Sequence, residues 1–205
     1  YAFLLDAQLE LLQADFRSAD IEWAIELADA LLDRFEDKER GGFFFTSDDH
    51  ESLIARLKPS HDNATPSGNA VAAFGLQRLG HLTGESRYLE AARRCLEAFF
   101  PFAENAPGGF ASYVTALEEH LDPPTSIILR GPATEVADWQ ARLLSRLHPA
   151  TMVVPLADNR EPLPPMLNRP TSDTVNAWVC SGVSCMPPVS DWAELERMCN
   201  ARDMG

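Results

Sequence analysis

A helical hairpin that recurs within one chain cannot bury its inner face alone and must stack on copies of itself. This sequence carries such a recurrence. A shift of about 64 residues sets Leu12 on Leu76, Ile25 on Leu89, Ala28 on Ala92, Leu32 on Leu96 and Phe35 on Phe99. In the first copy, Tyr1 to Phe16 places Leu4, Leu5, Leu9, Leu11, Leu12 and Phe16 at helical spacing. Asp20 is expected to cap a second helix with Glu22 in its first turn and Ile25, Ala28, Leu31, Leu32 and Phe35 on one face. The second copy predicts helices over 69–82 and 87–100, the latter stopped by Pro101. A fifth helix over 113–121 opens a further copy that gains no partner before Pro123-Pro124.

The pattern changes on either side of these helices. Gly41-Gly42 ends the second helix and opens Phe43-Phe44-Phe45-Thr46, a short strand with 54–57 as its return. After Pro124, Ser126–Arg130 and Thr151–Leu156 read as strands. The helix Pro132–Leu147 lies between them, with Trp139, Leu143, Leu144 and Leu147 inward, which makes a βαβ crossover. Residues 161–170 are proline-rich and read as an extended linker. Ala177–Cys180 joins the same sheet, and Asp191–Cys199 is a last helix capped by Ser190.

Bulk properties exclude several partners. A chain of 205 residues, 45% hydrophobic, can bury a sizeable core, and a net charge of −14 disfavours nucleic acids and anionic membranes. No apolar run approaches the roughly 20 residues of a membrane helix. Four cysteines in so long a chain make no disulfide framework. Cys95 lies in an apolar stripe and is expected in the core. Cys180 and Cys185 are separated by Ser181-Gly182-Val183-Ser184, which fits neither a two-residue redox motif nor a zinc knuckle. A third ligand from Cys199 or His148 has no support from spacing. Reduced thiols are the first expectation for the pair. The start at Tyr1, inside an apolar-periodic segment, suggests part of a longer protein.

The segment with the most chemistry is the loop Leu57-Lys58-Pro59-Ser60-His61-Asp62-Asn63-Ala64-Thr65-Pro66-Ser67-Gly68-Asn69, because loops held by a rigid scaffold carry function disproportionately. Together with Tyr1-Ala2-Phe3, Gly41–Thr46 and Trp178-Val179-Cys180 followed by Cys185 and Pro187, it resembles the thioredoxin-domain-containing family related to spermatogenesis-associated protein 20 and the bacterial YyaL-type proteins. The resemblance covers essentially the whole chain. It implies the C-terminal part of such a protein, preceded in the family by a thioredoxin-like domain and further helical hairpins. The helical region is similar to the α/α toroids of N-acylglucosamine 2-epimerases and six-hairpin glycosidases.

The resemblance implies a sugar-binding funnel with His61 and Asp62 as acid/base groups and Ser67 and Asn69 on its rim. By residue type, Phe43, Phe44 and Phe45 could stack on a sugar ring, and Arg56 and Lys58 could bind a carboxylate or phosphate of the substrate. Each residue also has a plainer reading. Asp62 can accept backbone N–H groups within its own turn, and Asn69 can cap the next helix. Arg56 and Lys58 can be solvated edge residues. Strand alternation would set Phe44 opposite Phe43 and Phe45. Glycoside hydrolysis needs a second positioned carboxylate, which the sequence does not offer. The lone glycine of Gly131-Pro132 falls far short of a phosphate loop.

The expected fold is mainly α. It comprises part of an α/α toroid with a small β-hairpin over 1–122 and a small α/β unit over 123–205. The expected function is a cytoplasmic, carbohydrate-directed module, epimerase/isomerase- or glycosidase-like if active. No cofactor, metal, nucleic acid or membrane is expected. The alternatives are a non-catalytic scaffold for the thioredoxin-like domain or a client protein, and a thiol-based redox or metal role at Cys180 and Cys185, for which the thioredoxin-like domain implied by the resemblance makes a regulatory disulfide the second expectation.

Overall fold

A computed structural model describes residues 1–51, 55–146, 150–157 and 163–202. Ile54, Leu147, His148 and residues 161–162, all named above, lie outside the described residues. The fold is mainly helical with one small sheet. The helices are α1 (Ala2–Ala14), α2 (Ser18–Ala30), α3 (Gly68–Thr83), α4 (Ser86–Asn105), α5 (Ala111–Leu121), α6 (Ala133–Leu144) and α7 (Trp192–Arg202). The strands are β1 (Thr125–Gly131), β2 (Thr151–Ala157), β3 (Asn176–Ser181) and β4 (Ser184–Cys185). No described helix is long and apolar enough to cross a membrane.

The chain divides into two compact units. The first comprises Tyr1–Glu10, Ala19–His81 and Glu85–Asp122, and the second Leu11–Ser18, Leu82–Gly84 and Pro123–Gly205. The sequence boundary at 122/123 does not foresee the two short segments that cluster with the C-terminal part.

In the helical unit, α2 and α4 carry the corresponding faces of the recurrence. Ala28 and Ala92 are both fully buried, Leu32 and Leu96 are both buried, and Ile25 and Leu89 are both half-buried. The pair Phe35 and Phe99 breaks the symmetry: Phe99 is buried and Phe35 only half so. The cause is local. Residues Leu31–Phe35 form a π-helical turn, whereas their counterparts in α4 stay α-helical. A π turn adds a residue to the repeat and rotates the side chains at its C-terminal end, so Phe35 leaves the buried stripe.

Pro101 does not end α4, which runs to Asn105. A proline inside a helix costs about 3 kcal/mol because it removes one N–H and crowds the preceding turn. Here the lost bond falls at Glu97, an exposed residue, while Phe99 and Ala103 stay buried on the opposite face. Burial of that face outweighs the local preference.

The stretch after Gly41 also departs from expectation. Phe43 makes a single bridge to Glu36 and no strand forms over 43–46. The backbone is satisfied piecemeal: the Phe44 N–H donates to the Phe35 carbonyl at 2.8 Å and the Phe45 N–H to the Leu57 carbonyl at 2.8 Å. Exposure rises steadily from buried Phe43 through half-buried Phe44 to exposed Phe45, so the alternation of a strand is absent. Gly41 and Gly42 lie at φ 71° and 76°, and a Cβ on Gly42 would come within 2.7 Å of the Phe99 ring.

In the second unit, β1 and β2 pair in parallel across α6, with Ile127 opposite Val153, and β3 adds antiparallel with Val179 opposite Ile127. The order is β2-β1-β3-β4. β1 is buried along nearly its whole length, which explains its continuous apolar run. Val136, Trp139 and Leu143 of α6 and Leu195 of α7 join one core with Ile127, Leu129 and Val153. Leu144, expected inward, is 50% exposed because it falls on the outer side of the last turn. The caps also shift. Asp20 lies within the first turn of α2 rather than before it, and Asp191, not Ser190, caps α7 by accepting the Glu194 N–H at 2.9 Å.

Candidate functional site

Within the helical unit, residues 59–72 and the aromatic stretch 43–45 border a cavity of about 380 Å3, in the size range of small-molecule sites. Tyr1, Phe3, Phe35, Phe43, Phe44 and Phe45 line it with rings. His61, Asn63, Thr65, Ser67 and Asn69 supply its polar side chains, and its described lining contains no Asp, Glu, Lys or Arg. Of the residues singled out from sequence, Phe44, Phe45, His61, Ser67 and Asn69 are thus brought together, whereas Asp62, Arg56 and Lys58 are not in the lining.

Asn69 is the organiser of this wall. It is buried, and its side chain spans the backbone of Phe43: Oδ1 accepts the Phe43 N–H at 2.6 Å and Nδ2 donates to the Phe43 carbonyl at 3.0 Å. Nδ2 also donates to the Pro59 carbonyl at 2.8 Å. The amide therefore does for Phe43 what a neighbouring strand would have done. It does not cap α3. That role belongs to Ser67, whose Oγ accepts the Ala70 N–H at 3.4 Å.

Asp62 holds the loop against α5. Oδ1 accepts the Ser67 N–H at 2.8 Å, Oδ2 accepts the Ser112 N–H at 2.8 Å, and the Ser112 hydroxyl donates to Oδ1 as well. Burial alone would raise its pKa, but the bonds from Ser112, Ser67 and Ala111 outweigh it and hold the carboxyl below its ordinary value of 3.8. A carboxylate so engaged is a weak base near neutral pH, which fits a positioning role. Its contribution to stability is complete above the unfolded-state pKa, near 4, and is lost as pH falls through the lower folded-state value. Asp62→Ala is expected to cost about 2 kcal/mol at pH 7. The difference from the parent protein should shrink steadily below pH ~4 in urea titrations. A gap that stays constant with pH would refute the role of the charge.

Arg56 and Lys58 are likewise structural, and neither is a free edge residue. Arg56 donates from Nη2 to the Thr46 carbonyl at 2.6 Å and the Arg34 carbonyl at 3.1 Å, with its guanidinium 4.1 Å from the centre of the Phe44 ring. Lys58 Nζ pairs with Asp37 Oδ2 at 2.6 Å and donates to the Gly41 carbonyl at 2.9 Å. Both therefore pin the segment that presents Phe44. His61 is exposed and rests its ring 4.7 Å from that of buried Phe110. It is the one imidazole among the described lining residues.

Sequence reasoning misses Phe35 as a lining residue, because nothing in its helical spacing announces a π turn. It also misses Ser112 and Phe110, which meet the loop from about 50 residues away. Asn63 and Thr65 belong to the loop motif, but their residue types alone suggest no role.

Cys180 and Cys185 are bonded to each other as a disulfide, not held as the two thiols first expected. They face one another in the antiparallel β3–β4 pair, and β4 is not foreseen from sequence. Among the described residues, no group of three or more His, Cys, Asp or Glu side chains could hold a metal ion. Cys199 packs against the sheet core instead.

No family model matches the chain. The chain is similar to spermatogenesis-associated protein 20 from Homo sapiens, 29% identical over 209 residues, and to its Mus musculus counterpart, 27% identical over 208. Each alignment takes in 97% of this chain and 26% of the relative. An uncharacterized protein of Caenorhabditis elegans is 23% identical over 205 residues, which is 98% of this chain and 28% of that protein. The chain thus spans about a quarter of the length of the curated relatives it matches.

Proposed function

We propose that the helical unit, of the α/α toroid type, binds a small neutral ring compound of the carbohydrate class in the cavity beside Asn69. One observation carries the reading: the lining joins several aromatic rings to neutral amides and hydroxyls, with no described acidic or basic chain apart from His61. Sugar rings offer C–H faces to aromatic surfaces and hydroxyls to amides, and a neutral wall selects against strongly charged ligands. Glycoside hydrolysis would ask for two carboxyl groups across the ligand, which this lining lacks. Proton transfer beside a carbonyl, the chemistry of an epimerase or isomerase, asks for a titratable side chain that His61 supplies. Phe44 and Phe45 stack on the ligand, and Ser67, Asn69, Asp62, Arg56 and Lys58 hold the walls.

Isothermal titration with neutral monosaccharides, N-acetylated sugars and sugar phosphates tests this reading. Phe45 is 77% exposed, so Phe45→Ala should leave the fold unchanged. Losing one stacking ring is expected to weaken sugar binding by about three- to tenfold. No binding of any sugar at millimolar concentration would defeat the proposal. A second reading, binding without turnover, is favoured by the engagement of Asp62, which leaves His61 without an acidic partner in the lining. Binding that persists in His61→Gln, with no isomerised product from either protein, would select it.

A further inference from the structure

We propose that Cys180 and Cys185 form a redox-active pair that exchanges electrons with a dithiol, and that Arg169 is the cation that holds the Cys185 thiolate. The two residues stand directly opposite each other across β3 and β4, bonded as a disulfide. Cys180 is 2% exposed, whereas Cys185 is only half-buried, so an incoming thiol reaches Cys185 first. Arg169 aims its Nη2 at the same sulfur, 2.9 Å from Cys185 Sγ and 3.9 Å from Cys180 Sγ.

The surroundings of Arg169 make this placement informative. Its Nε is buried without a hydrogen-bond partner among the described residues. Burial lowers its pKa, because withdrawal from water disfavours the charged form. The disulfide is neutral and offers that cation little. A thiolate at Cys185 would give it a full counter-charge at hydrogen-bonding distance, so the arrangement favours the reduced state. The other cysteines lack this: Cys95 is fully buried, its thiol pushed up by desolvation, and Cys199 lies against the sheet core.

Reduction proceeds in two exchanges. A thiolate of the dithiol attacks Cys185 Sγ; a bond to the reductant forms, the Cys180–Cys185 bond breaks, and its electron pair leaves on Cys180, which takes a proton. The second thiol of the reductant loses its proton to water and attacks the first reductant sulfur. The mixed disulfide then breaks and Cys185 leaves as a thiolate facing Arg169. The cysteine pair gains two electrons, and the dithiol becomes a disulfide.

The test equilibrates the full chain in mixtures of reduced and oxidised dithiothreitol without denaturant. Alkylation and peptide mass mapping then count the free thiols at Cys180 and Cys185. The pair is expected to become reduced without unfolding of the protein. Arg169→Met should move the balance toward the disulfide by about tenfold, which corresponds to about 30 mV for two electrons. Arg169→Lys, which keeps the charge, should recover most of that shift. Independently of any variant, iodoacetamide should modify Cys185 of the reduced parent protein at pH 7 several-fold faster than it modifies glutathione. Reduction only after unfolding, a Cys185 slower than glutathione, or a folded Arg169→Met with unchanged balance would each overturn the proposal.

Discussion

Glu119→Leu is expected to be the most damaging single substitution in the helical unit, at about 3–5 kcal/mol. Arg78 and Glu119 are each about 5% exposed and face one another from α3 and α5. Nη2 of Arg78 lies 2.6 Å from Oε1, and Nε lies 3.0 Å from Oε2. Glu10 adds a bond at 3.1 Å to Nη1, and the guanidinium lies 4.0 Å from the centre of the Phe74 ring. The carboxylate of Glu10 is more than half exposed, so it cannot replace Glu119 as the buried counter-charge. Removing one member of such a pair leaves a charge in a low-dielectric interior without its buried counter-charge, whereas removing both leaves an apolar contact. The double variant Arg78→Met, Glu119→Leu should therefore recover most of the loss. A surface pair such as Arg93–Glu97, screened by solvent, supplies the contrast: breaking it should barely move the midpoint. Urea midpoints of these proteins decide the matter; a Glu119→Leu loss below about 1 kcal/mol would contradict the buried-pair account.

The effect should reach the cavity. α3 begins at Gly68, beside the Ser67 and Asn69 side chains, and α5 begins at Ala111, beside the Ser112 that binds Asp62. The ion pair ties these two helices roughly two to three turns from those ends. Loosening it separates the supports of His61, whose ring leans on Phe110.

These long-range ties mark the boundary of what the sequence discloses. α3 is readable from its apolar period and from the Gly84 at its end, and β1, α6 and β2 from their spacing. Such features depend on neighbours in the chain. The end of α4 is not readable in this way, because the rule for Pro101 is local while the burial of Ala103 that overrides it is tertiary. The segment 43–46 fails for a related reason. Its aromatic residues suit a strand, but the partner of Phe43 is a side chain 26 residues away. The loop stands out as a place of interest by composition alone. The division of its residues into wall and support does not, because Asp62 and Asn69 are of equally functional type and differ only in the groups they touch. The disulfide depends on register: five residues apart, the two cysteines meet only because a tight turn sets β4 against β3.

Asn69→Asp separates these contributions most sharply, since it preserves shape and changes one donor into an acceptor. Asn69 Oδ1 accepts the Phe43 N–H, and a carboxylate oxygen can keep that bond. Nδ2 is the difference, for it donates to two carbonyls, those of Phe43 and Pro59. In the variant an anionic oxygen would face both, and its burial would force it toward the protonated form. Each orphaned carbonyl costs about 1–3 kcal/mol, so a total near ~3 kcal/mol is expected at pH 7. Protonation restores one donor. The folded-state pKa of the introduced carboxyl therefore lies above its unfolded value, and the loss should ease as pH falls toward ~4. Asp62→Ala shows the same trend against its parent, but from a different origin: there the parent loses a favourable charge in acid, here the variant sheds an unfavourable one. Phe43 and Pro59 both line the cavity, so ligand binding should fall together with stability at pH 7 and return in part in acid. A variant as stable as the parent at pH 7 would mean that the amide does not bridge the two segments, and the wall of the proposed site would have to be drawn without it.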